Sequence, residues 1–125
     1  MSRLLWLLTF AYCIFLATMT HLPPGKVPDI GANDKLEHLG AYGLLSGAFF
    51  LSLWATFPRK HVATLLTPLI VLAFGALDEI TQPYFGRSCE LNDWLADATG
   101  MAIAVITLTL IRRLVIRRVP VSTSN

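Results

Sequence analysis

The sequence predicts an all-α membrane protein, a four-transmembrane-helix antiparallel bundle with its N-terminus and C-terminus cytoplasmic. Three observations predict it. Apolar residues make up 54% of the 125 residues and charged ones only 14%, against about 25% charged in an ordinary soluble domain. Four apolar stretches each approach the roughly 20 residues that cross a hydrocarbon core of about 30 Å. The charges segregate to alternate ends of those stretches, as expected of spans that run up and down. Residues 1–125 read as a single membrane domain, and a chain of this length has no room for an anchor plus a separate catalytic domain of ordinary size. Any chemistry is expected in or beside the helices.

The first span runs from about Leu4 to Leu22. Arg3 ahead of it raises a signal peptide as the alternative. The apolar run exceeds the usual h-region of about 7 to 15 residues, however, and Ala17, Thr18 and Met19 make a poor cleavage site, so an uncleaved helix is expected. Pro23, Pro24, Gly25, Pro28 and Gly31 then break the chain. The second span, about His38 to Phe57, contains Gly40, Gly43 and Gly47, which include a Gly-x-x-x-Gly spacing suited to close helix packing. The third, Val62 to Ile80, and the fourth, Trp94 to Ile111, follow. Pro58 and Pro83 end the second and third, because proline has no N–H to donate into a continuing helix. Ser122 to Asn125 reads as a frayed tail. Trp6, Phe49, Phe50, Trp54 and Phe57 read as lipid-facing or interfacial belt residues, Cys13 and Cys89 as unpaired, and His21 and His61 as isolated interfacial histidines.

Charge sets the expected topology. The N-terminus, the second connection and the tail carry Arg3, Arg59, Lys60, Arg112, Arg113, Arg117 and Arg118 without a single acid, which marks that side as cytoplasmic. The first and third connections with their helix ends hold every acid (Asp29, Asp34, Glu37, Asp78, Glu79, Glu90, Asp93 and Asp97) with only Lys26, Lys35 and Arg87 as bases. Their polar residues are therefore expected to converge on the outer surface. The net charge of +2 does not point to nucleic acid, since the basic residues are juxtamembrane and not arrayed with aromatics. Arg112, Arg113, Arg117 and Arg118 are expected against anionic membrane lipids.

Three clusters carry candidate chemistry. If the second helix begins near Asn33, then Asp34, His38 and Tyr42 stack on one face with Lys35 beside them. The bland alternative is a capping Asn33 or Asp34, an interfacial His38 and a belt Tyr42. Asp78 and Glu79 each share a face with Gln82 at the end of the third helix, and Gly75 lets a neighbour approach there. Two acids at a helix C-terminus oppose the macrodipole by a few tenths to about 1 kcal/mol, so something else must justify them. The third cluster is Arg87 in Gly86-Arg87-Ser88, then Asn92, Asp93, Asp97 and Gly100. Asn92 or Asp93 suits a cap, whereas Asp97 lies one turn deeper, where packing against another polar helix is the cheapest solution. Arg87 is free to pair with the acids or to present its planar fork to a phosphate.

Together, Asp34-Lys35 with His38 and Tyr42, Asp78-Glu79 with Gln82, and Gly86-Arg87 with Asp93 and Gly100 resemble the VanZ-like family of small bacterial membrane proteins. The resemblance covers about Asp34 to Gly100. It implies a multi-pass protein of the bacterial cytoplasmic membrane, in a family whose namesake is associated with low-level resistance to the glycopeptide teicoplanin, and it implies no known reaction. Asp97 stands where family members typically have asparagine, which adds one negative charge or one proton to the site.

The function expected first is binding of a polar lipid headgroup or cell-wall intermediate, of polyprenyl-phosphate type, at an outer site of Asp34, Lys35, His38, Tyr42, Asp78, Glu79, Gln82, Arg87, Asp93 and Asp97. Arg87 and Lys35 would meet phosphate, and the carboxylates and Gln82 would meet sugar, amine or metal. A membrane-embedded hydrolase or transferase is the second reading, with Asp78 or Glu79 as general base and His38 as acid or as ligand to a divalent ion such as Zn or Mn. No established catalytic spacing accompanies it, and no cofactor beyond that ion is expected. The third is a structural subunit or a small proton-coupled transporter, for which four short helices are few unless the protein is an oligomer.

Overall fold

The computed structural model describes residues 1–23, 26, 33–57, 59 and 61–118, with side chains to residue 115. Pro24, Gly25, Pro28, Asp29, Gly31, Pro58, Lys60, the side chains of Arg117 and Arg118, and the tail to Asn125 lie outside the described residues. Four helices form the bundle: α1 (Ser2–Thr20), α2 (Asp34–Thr56), α3 (Val62–Thr81) and α4 (Leu91–Arg118). Each is long and apolar enough to cross a membrane. The chain is thus an all-α protein of the kind that spans a bilayer several times. The helices are antiparallel in chain order: at one end of the bundle the close of α1 meets the close of α3, the start of α2 meets the start of α4, and Tyr42 of α2 joins Asp78 of α3. At the opposite end Trp6 donates to Thr56 and Thr64 meets Thr109.

Several helix bounds differ from the sequence reading because polar residues enter the helices. α2 starts at Asp34, as the reading of a helix beginning near Asn33 has it and four residues ahead of the apolar span's start at His38, because the Asn33 side chain accepts a hydrogen bond from the Lys35 N–H at 2.9 Å and caps it. α4 begins at Leu91, so Asn92 and Asp93 are not caps but first-turn residues. At its other end α4 continues to Arg118, giving a length of about 42 Å at about 1.5 Å per residue. α3 stops at Thr81 and passes into a short 3-10 turn, Gln82–Phe85, with Pro83 inside it. Gly86 ends that turn at φ 79°, a left-handed conformation that glycine adopts without a Cβ clash.

α2 is the centre of the bundle and packs against the other three helices, most extensively α4. Its crossing with α4 is set by two glycines. A Cβ on Gly100 would lie 2.1 Å from the Leu39 carbonyl oxygen, and one on Gly43 would lie 3.4 Å from the Gly100 oxygen. Gly43 therefore has the close-packing role expected of it, with Gly100 as partner, while Gly40 has no atom within 4 Å and Gly47 is only in loose contact with Leu108.

Phe49 and Phe50 are buried among the helices and not lipid-facing. They fall on the α2 face that carries Tyr42, Leu45 and Leu53, and the outer surface of α2 is left to residues such as Leu36, Leu44 and Leu51. Trp54 is half-buried and lies beneath the Arg112 guanidinium, 5.6 Å from the ring centroid. Arg112 is accordingly turned into the bundle, where a cation–π contact offsets part of its desolvation, and not spread against headgroups. α1 is held to α2 by polar contacts, Thr9 to Ser52 at 2.9 Å and the Tyr12 hydroxyl to the Ala41 carbonyl at 3.1 Å, together with the packing of Trp6 on Phe49. Its leucines and phenylalanines Leu4, Leu7, Leu8, Phe10 and Phe15 stay exposed. That distribution suits lipid, where apolar surface gives no drive for helix association and hydrogen bonds supply part of it.

Candidate functional site

The polar clusters converge at the end of the bundle where α2 and α4 begin. His38, one turn into α2, faces α4: its Nδ1 is 2.9 Å from Asp97 Oδ1, and its Nε2 is 3.9 Å from Asp93 Oδ2. Asp93 and Asp97 are a turn apart on one face of α4, so a single imidazole reaches both. The Tyr42 ring stacks parallel to His38 one turn deeper, centroids 6.3 Å apart. Its hydroxyl donates to Asp78 Oδ2 on α3 at 3.0 Å. The expected Asp34, His38, Tyr42 face exists, but Asp34 is at the exposed rim while the other two are buried.

Asp78 and Glu79 diverge. Asp78 turns to α1 and α2 and accepts from Thr20 at 2.7 Å and from Tyr42, with His21 Nδ1 3.4 Å from Oδ1. Glu79 turns to the loop before α4, accepting from the Glu90 backbone N–H at 2.9 Å and from Gln82 Nε2 at 3.2 Å. These donors justify two acids at an unfavourable helix end: each carboxylate is satisfied by groups outside α3. Thr20 and His21 belong to this site and were not singled out as such by the sequence reading. Their signal was weak, a threonine and an apparently isolated histidine at the close of an apolar run. Helical periodicity says nothing about which helix they meet.

Lys35 bridges the rim, bonding to Asp93, to Glu90 at 3.1 Å and to Asp34 at 3.4 Å. With three carboxylates around one ammonium, Lys35 is engaged within the protein. The same ammonium, with the Ser88 hydroxyl, holds the exposed Glu90 carboxyl below the usual carboxylate range. Because that pKa is depressed in the folded state, the pair's contribution is fully present above the unfolded value and is lost as pH falls through the folded one. A carboxyl-carbon NMR titration should therefore show Glu90 ionising at lower pH in the wild type than in Lys35→Met. Arg87 is different: its guanidinium has no hydrogen bond or ion pair with any described residue, and its backbone N–H donates to the Gln82 carbonyl at 3.3 Å.

Four carboxylates at this end are nearly inaccessible: Asp78, Glu79, Asp93 and Asp97, at 5%, 3%, 5% and 2% exposure. Two groups of side chains bring their ligand atoms within 4.8 Å of one another and could hold a metal ion: Asp34, His38 and Asp93 at the rim, and His38, Glu79 and Asp97 in the interior. The Asp97 Oδ2 atom is buried with no hydrogen-bond partner among the described residues. Gly75 makes room for it, since a Cβ there would lie 3.2 Å from this oxygen and 3.1 Å from the Tyr42 ring.

Tyr42→Phe should destabilise the protein by about 1–3 kcal/mol, the cost of leaving a buried acceptor of Asp78 without its donor. Chemical denaturation in mixed micelles measures it, and unchanged stability would show that another donor replaces the phenol. No protein-family model, curated protein or solved structure matches the chain.

Proposed function

We propose that this protein binds the polar headgroup of a membrane lipid or lipid-linked cell-wall intermediate, of polyprenyl-phosphate type, at the buried polar end of the bundle. One juxtaposition carries the reading: Arg87 lies unpaired with any described residue in the loop whose Glu90 N–H donates to Glu79, next to an interior whose buried acids come from α3 and α4. A guanidinium without an internal partner suits a phosphate. The carboxylates and Gln82 suit the amine or hydroxyl groups such a headgroup carries. With Lys35 engaged by acids, Arg87 takes the phosphate role alone.

The resemblance to the VanZ-like family and the segregation of basic residues support a place in the bacterial cytoplasmic membrane with both termini inside and the site on the extracytoplasmic face. On this reading, a contribution to glycopeptide resistance would come from altered presentation of the target at that face. Native mass spectrometry of gently purified protein tests the binding. The wild type is expected to retain a polyprenyl-phosphate-class lipid that both Glu79→Ala and Arg87→Ala lose. Retention of the same species by both variants, or of none by the wild type, overturns the proposal.

A second reading is favoured by the buried His38–Asp97 contact with Glu79 nearby: a membrane-embedded hydrolase or transferase acting on the same lipid class. His38, oriented by Asp97, would move the proton, and Glu79 would serve as base. Turnover of a polyprenyl-phosphate substrate by the purified protein, absent in His38→Gln, distinguishes it from binding alone.

A further inference from the structure

We propose that His38, Glu79 and Asp97 form a binding site for one divalent transition-metal ion, Zn²⁺ or Mn²⁺. The three side chains come from three helices, α2, α3 and α4, and each is buried. Their ligand atoms already lie within 4.8 Å of one another, so small side-chain movements bring them to the about 2.0–2.2 Å that nitrogen and oxygen ligands take around zinc. One imidazole with two carboxylates is a donor set that suits either ion.

Asp97 Oδ2 points to a ligand independently of the clustering. Its sister oxygen meets His38, yet Oδ2 is buried without a hydrogen-bond partner among the described residues. An unpartnered buried polar atom costs about 1–3 kcal/mol, more when charged, and Gly75 lets this oxygen approach the α3 backbone closely. A bound cation removes that cost and offsets the charge of two neighbouring carboxylates. Glu79 is held ready by the Glu90 N–H and Gln82, the kind of outer support that orients metal-binding carboxylates. The rim group of Asp34, His38 and Asp93 is the weaker competitor, because the Lys35 ammonium already sits on Asp93 and Asp34 is exposed.

Three protein ligands leave at least one coordination position for an oxygen from outside, the pattern of catalytic and substrate-binding metal sites as opposed to closed structural ones. The ion does not require a lipid, so its test is separate from that of headgroup binding.

The experiment uses the full chain in detergent, stripped with chelator and freed of lipid, titrated with Zn²⁺ and with Mn²⁺ by calorimetry and checked by elemental analysis. One equivalent of at least one of the ions is expected for the wild type. Asp97→Asn and Glu79→Gln should weaken binding by more than the roughly 10- to 100-fold that loss of an outer-shell partner costs. Absence of stoichiometric binding by the wild type overturns the proposal, as does wild-type affinity in Asp97→Asn. Because a variant at a buried carboxylate can fail to fold, pulsed EPR of Mn²⁺ in the wild type supplies a second reading. Where Mn²⁺ binds, coupling to one imidazole nitrogen is expected, and bound Mn²⁺ without that coupling equally overturns the site.

Discussion

Gly100→Ala should abolish the native packing of the bundle. The added methyl would sit 2.1 Å from the Leu39 carbonyl oxygen and 2.9 Å from its carbon, with the Gly43 nitrogen at 3.1 Å. All three are backbone atoms, so no side chain can swing aside. α2 and α4 must separate, and this is the crossing that places His38 against Asp93 and Asp97. Overpacking usually costs about 1–3 kcal/mol, and a clash with backbone on the facing helix belongs at or above the top of that range. The expected readout is loss of a monodisperse peak in detergent, or a melting temperature far below the wild type. Gly40→Ala, on the facing helix α2, is the control. It meets no atom within 4 Å and should gain up to about 1 kcal/mol from helix propensity. A Gly100→Ala protein that elutes and melts like the wild type would refute the close α2–α4 crossing.

His38→Ala should be the most damaging side-chain truncation at the site, costing about 3–5 kcal/mol, the range for leaving one half of a buried pair uncompensated. Asp97 would lose the only hydrogen bond that either of its oxygens makes with a described residue, and Asp93 would lose a neighbouring ring nitrogen at 3.9 Å. Asp97→Asn should cost much less, since an amide oxygen can still accept from His38 while the buried charge is gone. The contrast belongs to a double-mutant cycle: His38→Ala with Asp97→Ala should recover a large part of the single loss. Unfolding in mixed micelles gives the coupling energy, and a value below about 0.5 kcal/mol would mean that the two residues act independently.

These two variants probe different levels of the same design. Gly100 fixes how closely two helices approach, and His38 reports what that approach achieves. The proposed metal and headgroup binding would depend on both, because donors spread over three helices stay together only while the α2–α4 crossing keeps its register.

Much of the site was legible because helices impose their own spacing. Asp34, His38 and Tyr42 are four residues apart, as are Asp93 and Asp97, and a period near 3.6 aligns such residues whatever surrounds them. Apolar length alone likewise marked four spans. The bounds were less legible. Scanning for apolar residues starts α2 at His38, but the Asn33 cap begins the helix at Asp34. A strongly polar first turn looks like loop until its hydrogen bonds are known.

What the sequence determined by itself is the all-α class, four spans, their alternating direction and the gathering of acids at one end. These depend on local composition and on the length needed to cross hydrocarbon. Partner choice was decided only by the tertiary structure. It turned Asp78 toward Thr20 and Tyr42 and Glu79 toward the Glu90 amide, tied Lys35 to three acids, left Arg87 apart, buried Phe49 and Phe50, and seated Gly100 on the Leu39 carbonyl. Contacts between helices depend on the rotation and axial register of each against its neighbours. Those are set by how all four surfaces pack at once, and no stretch of the chain encodes them alone.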